Sequence, residues 1–321
     1  MNTAKLQVSM VGTVAAIIGL STLFMTIILS LFDALSFYTL ALMIVFMNVV
    51  QWLFAPYLID MMYRVRKVSR AEEPELYSMV DRLSQKSGIK PPTLVIAKIP
   101  IPNAFAYGSP VSGTRVAVTS GLLNTLENEE IEAVIGHELG HLRHRDVQVM
   151  MFVSILPALF YYLGYSMMWS SAYSRSERDR GNSMALIGIL SILLYWVLTF
   201  FTLYLSRLRE FYADRHSVSV VDDGPRKLSE GLVKIAEYTE RTKRQHRSGY
   251  NMSSLKTLFI SDPDNAANDL KELYQTNIWR GDQDLVAKYM NRQVTSADTF
   301  AELFSTHPNM VKRLRALQQL P

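Results

Sequence analysis

The 321-residue sequence predicts a mainly α-helical integral membrane protein: about four transmembrane helices with a cytoplasmic α+β domain containing a small sheet. Three observations predict it. Four long stretches of the chain carry no charged residue. Charged residues make up only 19% of the composition, below the roughly 25% of soluble proteins, which fits a chain with much of its length in lipid. The polar segments between and after the apolar stretches carry helix and strand periodicities of an ordinary folded domain.

The first two uncharged runs are Leu6 to Phe32 and Leu35 to Ile59. Each exceeds the ~20 residues that cross a bilayer, and Asp33 lies in the short turn between them. They predict a transmembrane hairpin over 1–62. The first run is too long for a signal peptide and has no small-residue cleavage site, so it is expected to stay. Lys5 precedes the hairpin, and Arg64, Arg66, Lys67 and Arg70 follow it. By the positive-inside rule both ends then face the cytoplasm.

Residues 63–146 form the first part of the expected polar domain. Glu73 to Gly88 places Leu76, Val80 and Leu83 at helical spacing and ends on a glycine. Thr93 to Lys98 and Arg115 to Thr119 are short and rich in β-branched residues, as strands are. Asn103 to Gly108 between them reads as an extended edge segment. Asn128 to His144 reads as a helix, with Asn128 as its cap and Glu129 and Glu130 in its first turn.

A second apolar hairpin is expected over 147–206, from the runs Val147 to Ser170 and Met184 to Leu205. Its loop holds Arg175, Glu177, Arg178, Asp179 and Arg180, whose near-balanced charge gives little orientation. Residues 207–321 complete the polar domain. Pro225 to His246 aligns Leu228, Leu232 and Ile235, and Pro308 to Leu320 aligns Val311, Leu314 and Leu317.

Cysteine is absent, which excludes disulfide scaffolds, cysteine-ligated zinc, iron–sulfur clusters and thiol enzymes. Any metal must be held by His, Asp or Glu. The net charge of +4 suits anionic lipid headgroups and gives no sign of a nucleic-acid partner.

The informative motif is His137-Glu138-Leu139-Gly140-His141. Histidines at i and i+4 on a helix share a face and can hold one zinc ion, with Glu138 placed to take a proton from a zinc-activated water. A catalytic zinc takes three protein ligands as a rule. Glu210 is the candidate third ligand, and Asp214, one turn on, is placed to orient His137 through its outer nitrogen. The alternative for this carboxylate pair is a solvated charge cluster at the end of a membrane helix. Two crossings separate His141 from Glu210 and return the chain to one face, where the basic cluster also lies. His144, His216 and His246 are assigned no ligand role.

The order of these marks resembles the HtpX-like membrane metallopeptidases, relatives of the CAAX prenyl proteases. The matching residues are His137 to His141, then Glu210-x-x-x-Asp214 beyond two apolar runs, with Asn103-Ala104-Phe105-Ala106 and Ser305-Thr306-His307-Pro308 as further marks. The resemblance implies a zincin-type domain with one Zn2+ per chain, held by His137, His141 and Glu210, and with Glu138 as the base. It implies that Asn103 and Ala104 bind substrate backbone, and that His307 donates to the oxyanion. Read from its neighbours alone, His307 is equally a residue leading into a helix. The resemblance further implies a multi-pass cell-membrane endopeptidase that cleaves misfolded membrane proteins and other polypeptides in quality control and stress response. Membrane-protein regulators or further copies of the chain would be its other partners. Competing readings are a prenyl-protein peptidase, which needs a larger membrane chamber than four spans build, a transporter or receptor, and a non-catalytic membrane adaptor.

Overall fold

The structure, a computed structural model, describes residues 37–173, 178–245 and 282–320. The expected span Leu6 to Phe32 lies outside the described residues. Among them, three helices are long and apolar enough to cross a membrane: Ala41–Met62, Asp146–Ser171 and Met184–Val220. They belong to α1 (Phe37–Met62), α5 (Asp146–Tyr173) and α6 (Arg178–Val220).

The chain divides into two compact units, Met1–Trp52 with Gln148–Tyr204, and Leu53–Val147 with Leu205–Pro321. The first is turned inside out by the standards of a water-soluble protein. Leu186, Leu190, Leu193, Val197 and Phe201 all face outward, as lipid-facing side chains do. Among the described residues, Ile44 packs on Ala158, Leu159 and Tyr162, and Gly164 meets the Gly188 backbone.

The second unit is an α+β body around a four-stranded mixed sheet. Its strands are β1 (Val65–Lys67), β2 (Thr93–Ala97), β3 (Ala104–Ser109) and β4 (Gly113–Thr119), in the order β1-β2-β4-β3. The β2–β4 pair is parallel and the other two pairs are antiparallel. Strand β3 therefore has one free edge, as its sequence predicts. Strand β1, hidden among the basic residues, was not legible from pattern.

Side chains alternate across the sheet with period two. Leu94, Ile96, Ala104, Val116 and Val118 enter a core shared with α2 (Pro74–Ser87), α4 (Asn128–Arg143), α7 (Gly224–Gln245), α8 (Asp282–Asn291) and α10 (Met310–Leu317). Val95, Ala97, Phe105, Tyr107 and Ala117 take the other face, with Tyr63 and Ile59 from the end of α1 and just beyond it. Two short helices, α3 (Ser120–Thr125) and α9 (Ser296–Glu302), complete the described elements.

Two helix starts differ from the sequence expectation. Glu127, not Asn128, caps α4: it forms a reciprocal capping box with Glu130. The Asn128 side chain instead donates to Glu75 at 2.9 Å. Helix α10 begins at Met310 because Asn309 accepts the Val311 N–H at 3.0 Å and so acts as the cap.

Candidate metal centre

Helix α4 carries His137, Glu138 and His141, and α6 carries Glu210 and Asp214. Two glycines let these helices meet. A Cβ on Gly140 would stand 3.0 Å from Ala213 Cα, and one on Gly136 would stand 3.1 Å from Ser217 Oγ. Small residues at i and i+4 thus bring the α6 backbone onto α4, next to the histidines.

His137 Nε2 and His141 Nε2 stand 3.1 Å apart. Glu210 Oε2 lies 3.7 Å from the first nitrogen and Oε1 lies 3.5 Å from the second. One ligand atom from each of the three residues falls within 4.8 Å of the others, so the group could hold a metal ion. A tetrahedral zinc with bonds of roughly 2.0–2.1 Å separates its nitrogen ligands by ~3.3 Å, so the spacing fits. So does the donor set, two imidazoles and a carboxylate. The local charge fits as well: the buried carboxylates of Glu210 and Asp214 share one buried guanidinium, Arg313, and Glu138 adds a third buried carboxyl to the site.

The groups behind the histidines fix their ring orientation. Asp214 Oδ1 lies 2.9 Å from His137 Nδ1, and Asp146 Oδ2 lies 2.7 Å from His141 Nδ1. Both Nε2 atoms are thereby turned toward Glu210, with imidazole tautomers set by the carboxylates. Burial, reinforced by the Arg313 charge, pushes the His137 pKa down to about 4 and keeps the ring neutral, the form that binds metals.

Glu138 lies on the neighbouring face, and its Oε2 accepts the Ala106 N–H of edge strand β3 at 2.9 Å. Burial pushes its carboxyl up to about 7, with the Glu210 charge adding to the rise against His141. A carboxyl near neutrality can both accept and return a proton.

Strand parity separates the two expected substrate-binding residues. Asn103 faces its own sheet: its N–H donates to Thr119 Oγ1 at 2.9 Å and its carbonyl accepts the Thr119 N–H at 3.0 Å. Ala104 is two residues from Ala106, so its N–H and C=O share the free edge with the Ala106 N–H. His307 comes to the site as well, with Nδ1 3.3 Å from Glu210 Oε2. Its Nε2 is buried and has no hydrogen-bond partner among the described residues. Arg207 holds the loop before it, donating to the carbonyls of Glu302 at 2.7 Å and Ser305 at 2.8 Å. The other histidines stay apart: His216 Nε2 meets Ser87 Oγ at 2.9 Å, and His144 Nδ1 meets the Gly140 carbonyl at 2.9 Å. His246 lies outside the described residues.

Two residues of the centre escaped sequence reasoning. Arg313 grips Asp214 through Nε and Nη2, both at 2.6 Å, and reaches Glu210 Oε2 at 3.2 Å. Its signal was a charge inside the apolar stripe of α10, between Met310 and Leu317. Asp146, paired with Arg209, falls at the last residue of the expected 63–146 segment; its signal was its position five residues after His141.

The fold and this centre define a membrane metallopeptidase. The chain belongs to peptidase family M48, whose profile matches residues 70–320. Its relatives include the "Protease HtpX homolog" of Thermoplasma acidophilum, 38% identical over 86% of this chain and 83% of the relative. Another is the "Protease HtpX homolog" of Picrophilus torridus, 36% identical over 96% and 95% of the two chains. In fold, the chain is similar to the crystal structure of S. mikatae Ste24p, with a TM-score of 0.54 at 17% identity over 98% of this chain and 67% of that one.

Proposed function

We propose that this protein is a zinc-dependent endopeptidase of the cell membrane that cleaves misfolded or damaged membrane proteins and other unfolded clients, in quality control and stress response. The observation that carries the reading is the convergence of His137, His141 and Glu210 beside Glu138. His137, His141 and Glu210 are the zinc ligands, one ion per chain. Bound there, zinc supplies Lewis acidity, polarising a peptide carbonyl and acidifying water.

The protein groups do the rest. Glu138 accepts a proton from the attacking water and returns it to the leaving amine. The Ala106 N–H fixes the Glu138 carboxylate for both steps. Asp214 orients His137. The free edge of β3 around Ala104 pairs with an extended substrate, which gives main-chain affinity with weak sequence demands. Asn103 supports that edge from within the sheet. His307 Nε2 donates to the developing oxyanion. The domain at 63–146 and 207–321, with both termini, faces the cytoplasm, and 1–62 and 147–206 are the membrane hairpins. Its partners are polypeptide substrates and the lipid bilayer, with membrane-protein regulators or further copies of this chain beside them.

The test combines zinc analysis of the detergent-purified protein with casein cleavage. Wild type should hold one zinc per chain and lose cleavage with a chelator. Glu138→Gln should keep its zinc and lose ~10²–10⁴ in rate, because an amide accepts no proton. Near-normal turnover by that variant removes Glu138 from the mechanism, and cleavage insensitive to chelation removes the metal.

A further inference from the structure

The turn between β3 and β4 is unlike a surface hairpin. Residues 99–114 contain no charged side chain, and Val111 at the tip is 65% exposed. The turn also satisfies its own polar groups. The Ser109 N–H donates to Ser112 Oγ at 3.0 Å, the Ser112 N–H returns to Ser109 Oγ at 3.1 Å, and Ser112 Oγ donates to the Gly113 carbonyl at 3.0 Å. Pro110 has no N–H to satisfy. A turn built this way loses little when water is withdrawn.

Its location is fixed by α1. Ser109 Oγ donates to the Leu53 carbonyl at 3.0 Å, and Tyr107 donates to Asp60 Oδ1 at 2.6 Å. Strand β3 thus runs up α1 from Asp60 toward Leu53. Leu53 lies within the candidate span Ala41–Met62, six residues before the uncharged run ends at Ile59, or ~9 Å along the helix axis. The surrounding α1 side chains Phe54, Tyr57 and Leu58 are exposed, as lipid-facing groups are. One ionisable group near this end of α1, Asp60, pairs with the buried Arg115 of β4, so that no charge is left bare.

We infer that the β3–β4 hairpin tip, Pro110 and Val111, enters the headgroup–acyl boundary of the bilayer and anchors the free edge strand there. Interfacial segments seat their apolar residues ~5–10 Å into that boundary, the depth the Leu53 bond sets. The strand then links the lipid surface to the Glu138 side chain, five residues and ~17 Å from Ala106 to Val111. On the peptidase reading, a substrate strand added to that edge emerges directly from the membrane; the position of the tip does not depend on that reading.

The absence of cysteine allows a clean depth measurement. Val111→Cys in the full chain is labelled with an environment-sensitive fluorophore and reconstituted in vesicles of phosphatidylcholine and phosphatidylglycerol. Leu58→Cys on α1 is the lipid-facing reference, and Lys90→Cys, exposed on a loop, is the aqueous one. The Val111 label should be quenched by lipids carrying a nitroxide high on the acyl chain several-fold more than the Lys90 label, and shielded from iodide. Quenching equal to that at Lys90 places the tip in water and overturns the inference. Shielding from iodide without lipid quenching shows a protein covering the tip and overturns it equally.

Discussion

Arg313 shows how a metal centre is held together from behind. Its guanidinium is fully buried, and burial alone would lower its pKa; the Asp214 and Glu210 charges raise it instead. Asp214 therefore has two partners, His137 and Arg313, and its loss would disturb more than a ring orientation. Glu210→Ala should abolish stoichiometric zinc binding. Asp214→Asn should still bind zinc, with affinity reduced by roughly 10–100-fold, because the ligand set is intact and only its support is weakened. Zinc titration of both variants in detergent checks this; wild-type affinity in Glu210→Ala would remove it from the ligand set and leave His307, 3.3 Å away, as the first replacement. The residues of the centre were legible in the sequence where spacing carried them. A helical i, i+4 pair advertises itself, and so does Glu210 with Asp214. Arg313 and Asp146 did not, because a buried ion pair between distant elements has no local period.

At the scale of the element, the contact of α4 with α6 depends on absent side chains. Gly140 faces Ala213 Cα and His216 Cβ at a spacing where a methyl group already crowds its neighbours. Gly140→Leu should push α6 away and weaken zinc binding by at least ~10-fold, as misplacement of a supporting group does; retained affinity would show that the two helices are spaced by other contacts. The start of α4 carries a second consequence. Burial raises the Glu130 pKa, against the pull of Lys234 and the Glu127 N–H. A carboxyl that keeps its proton longer in the fold contributes stability in full below its unfolded pKa of about 4.3, and loses it as pH rises through the folded value. Glu130→Gln can keep the capping bond and does not titrate. Denaturation from about pH 4.3 upward should therefore show wild type losing stability relative to the variant as pH climbs. Parallel curves would mean that the ion pair with Lys234, at 2.6 Å, cancels the effect of burial. Element boundaries followed the sequence closely at α2, α5 and α7, whereas α6 extends the expected run Met184 to Leu205 to Arg178–Val220, because its polar ends continue the same helix. They missed at α4 and α10, where the cap is a side-chain choice among adjacent polar residues, and at β1, where three residues are too few for a period.

The whole molecule is governed by a parity. His141 precedes α5 and Glu210 follows the apolar part of α6, yet their ligand atoms lie 3.5 Å apart. A single crossing between them would put a bilayer of ~30 Å of hydrocarbon in the way, so the chain crosses twice or not at all. The side chains decide between these. Leu186, Leu190, Leu193, Val197 and Phe201 stand outward along α6. Leaving them in water would cost ~25 cal/mol for each Å² of apolar surface, with no compensating contact. Two crossings are therefore expected, which places Arg178 across the membrane from Lys67 and Lys86. The cysteine-free chain makes this directly measurable. In intact cells, an impermeant maleimide should label Arg178→Cys from outside, and should reach Lys67→Cys and Lys86→Cys only after permeabilisation. Labelling of all three only after permeabilisation would mean that α5 and α6 lie against the membrane or dip into it. The metal centre would survive that outcome, because zero crossings satisfy the same parity, but the second hairpin would not be a span.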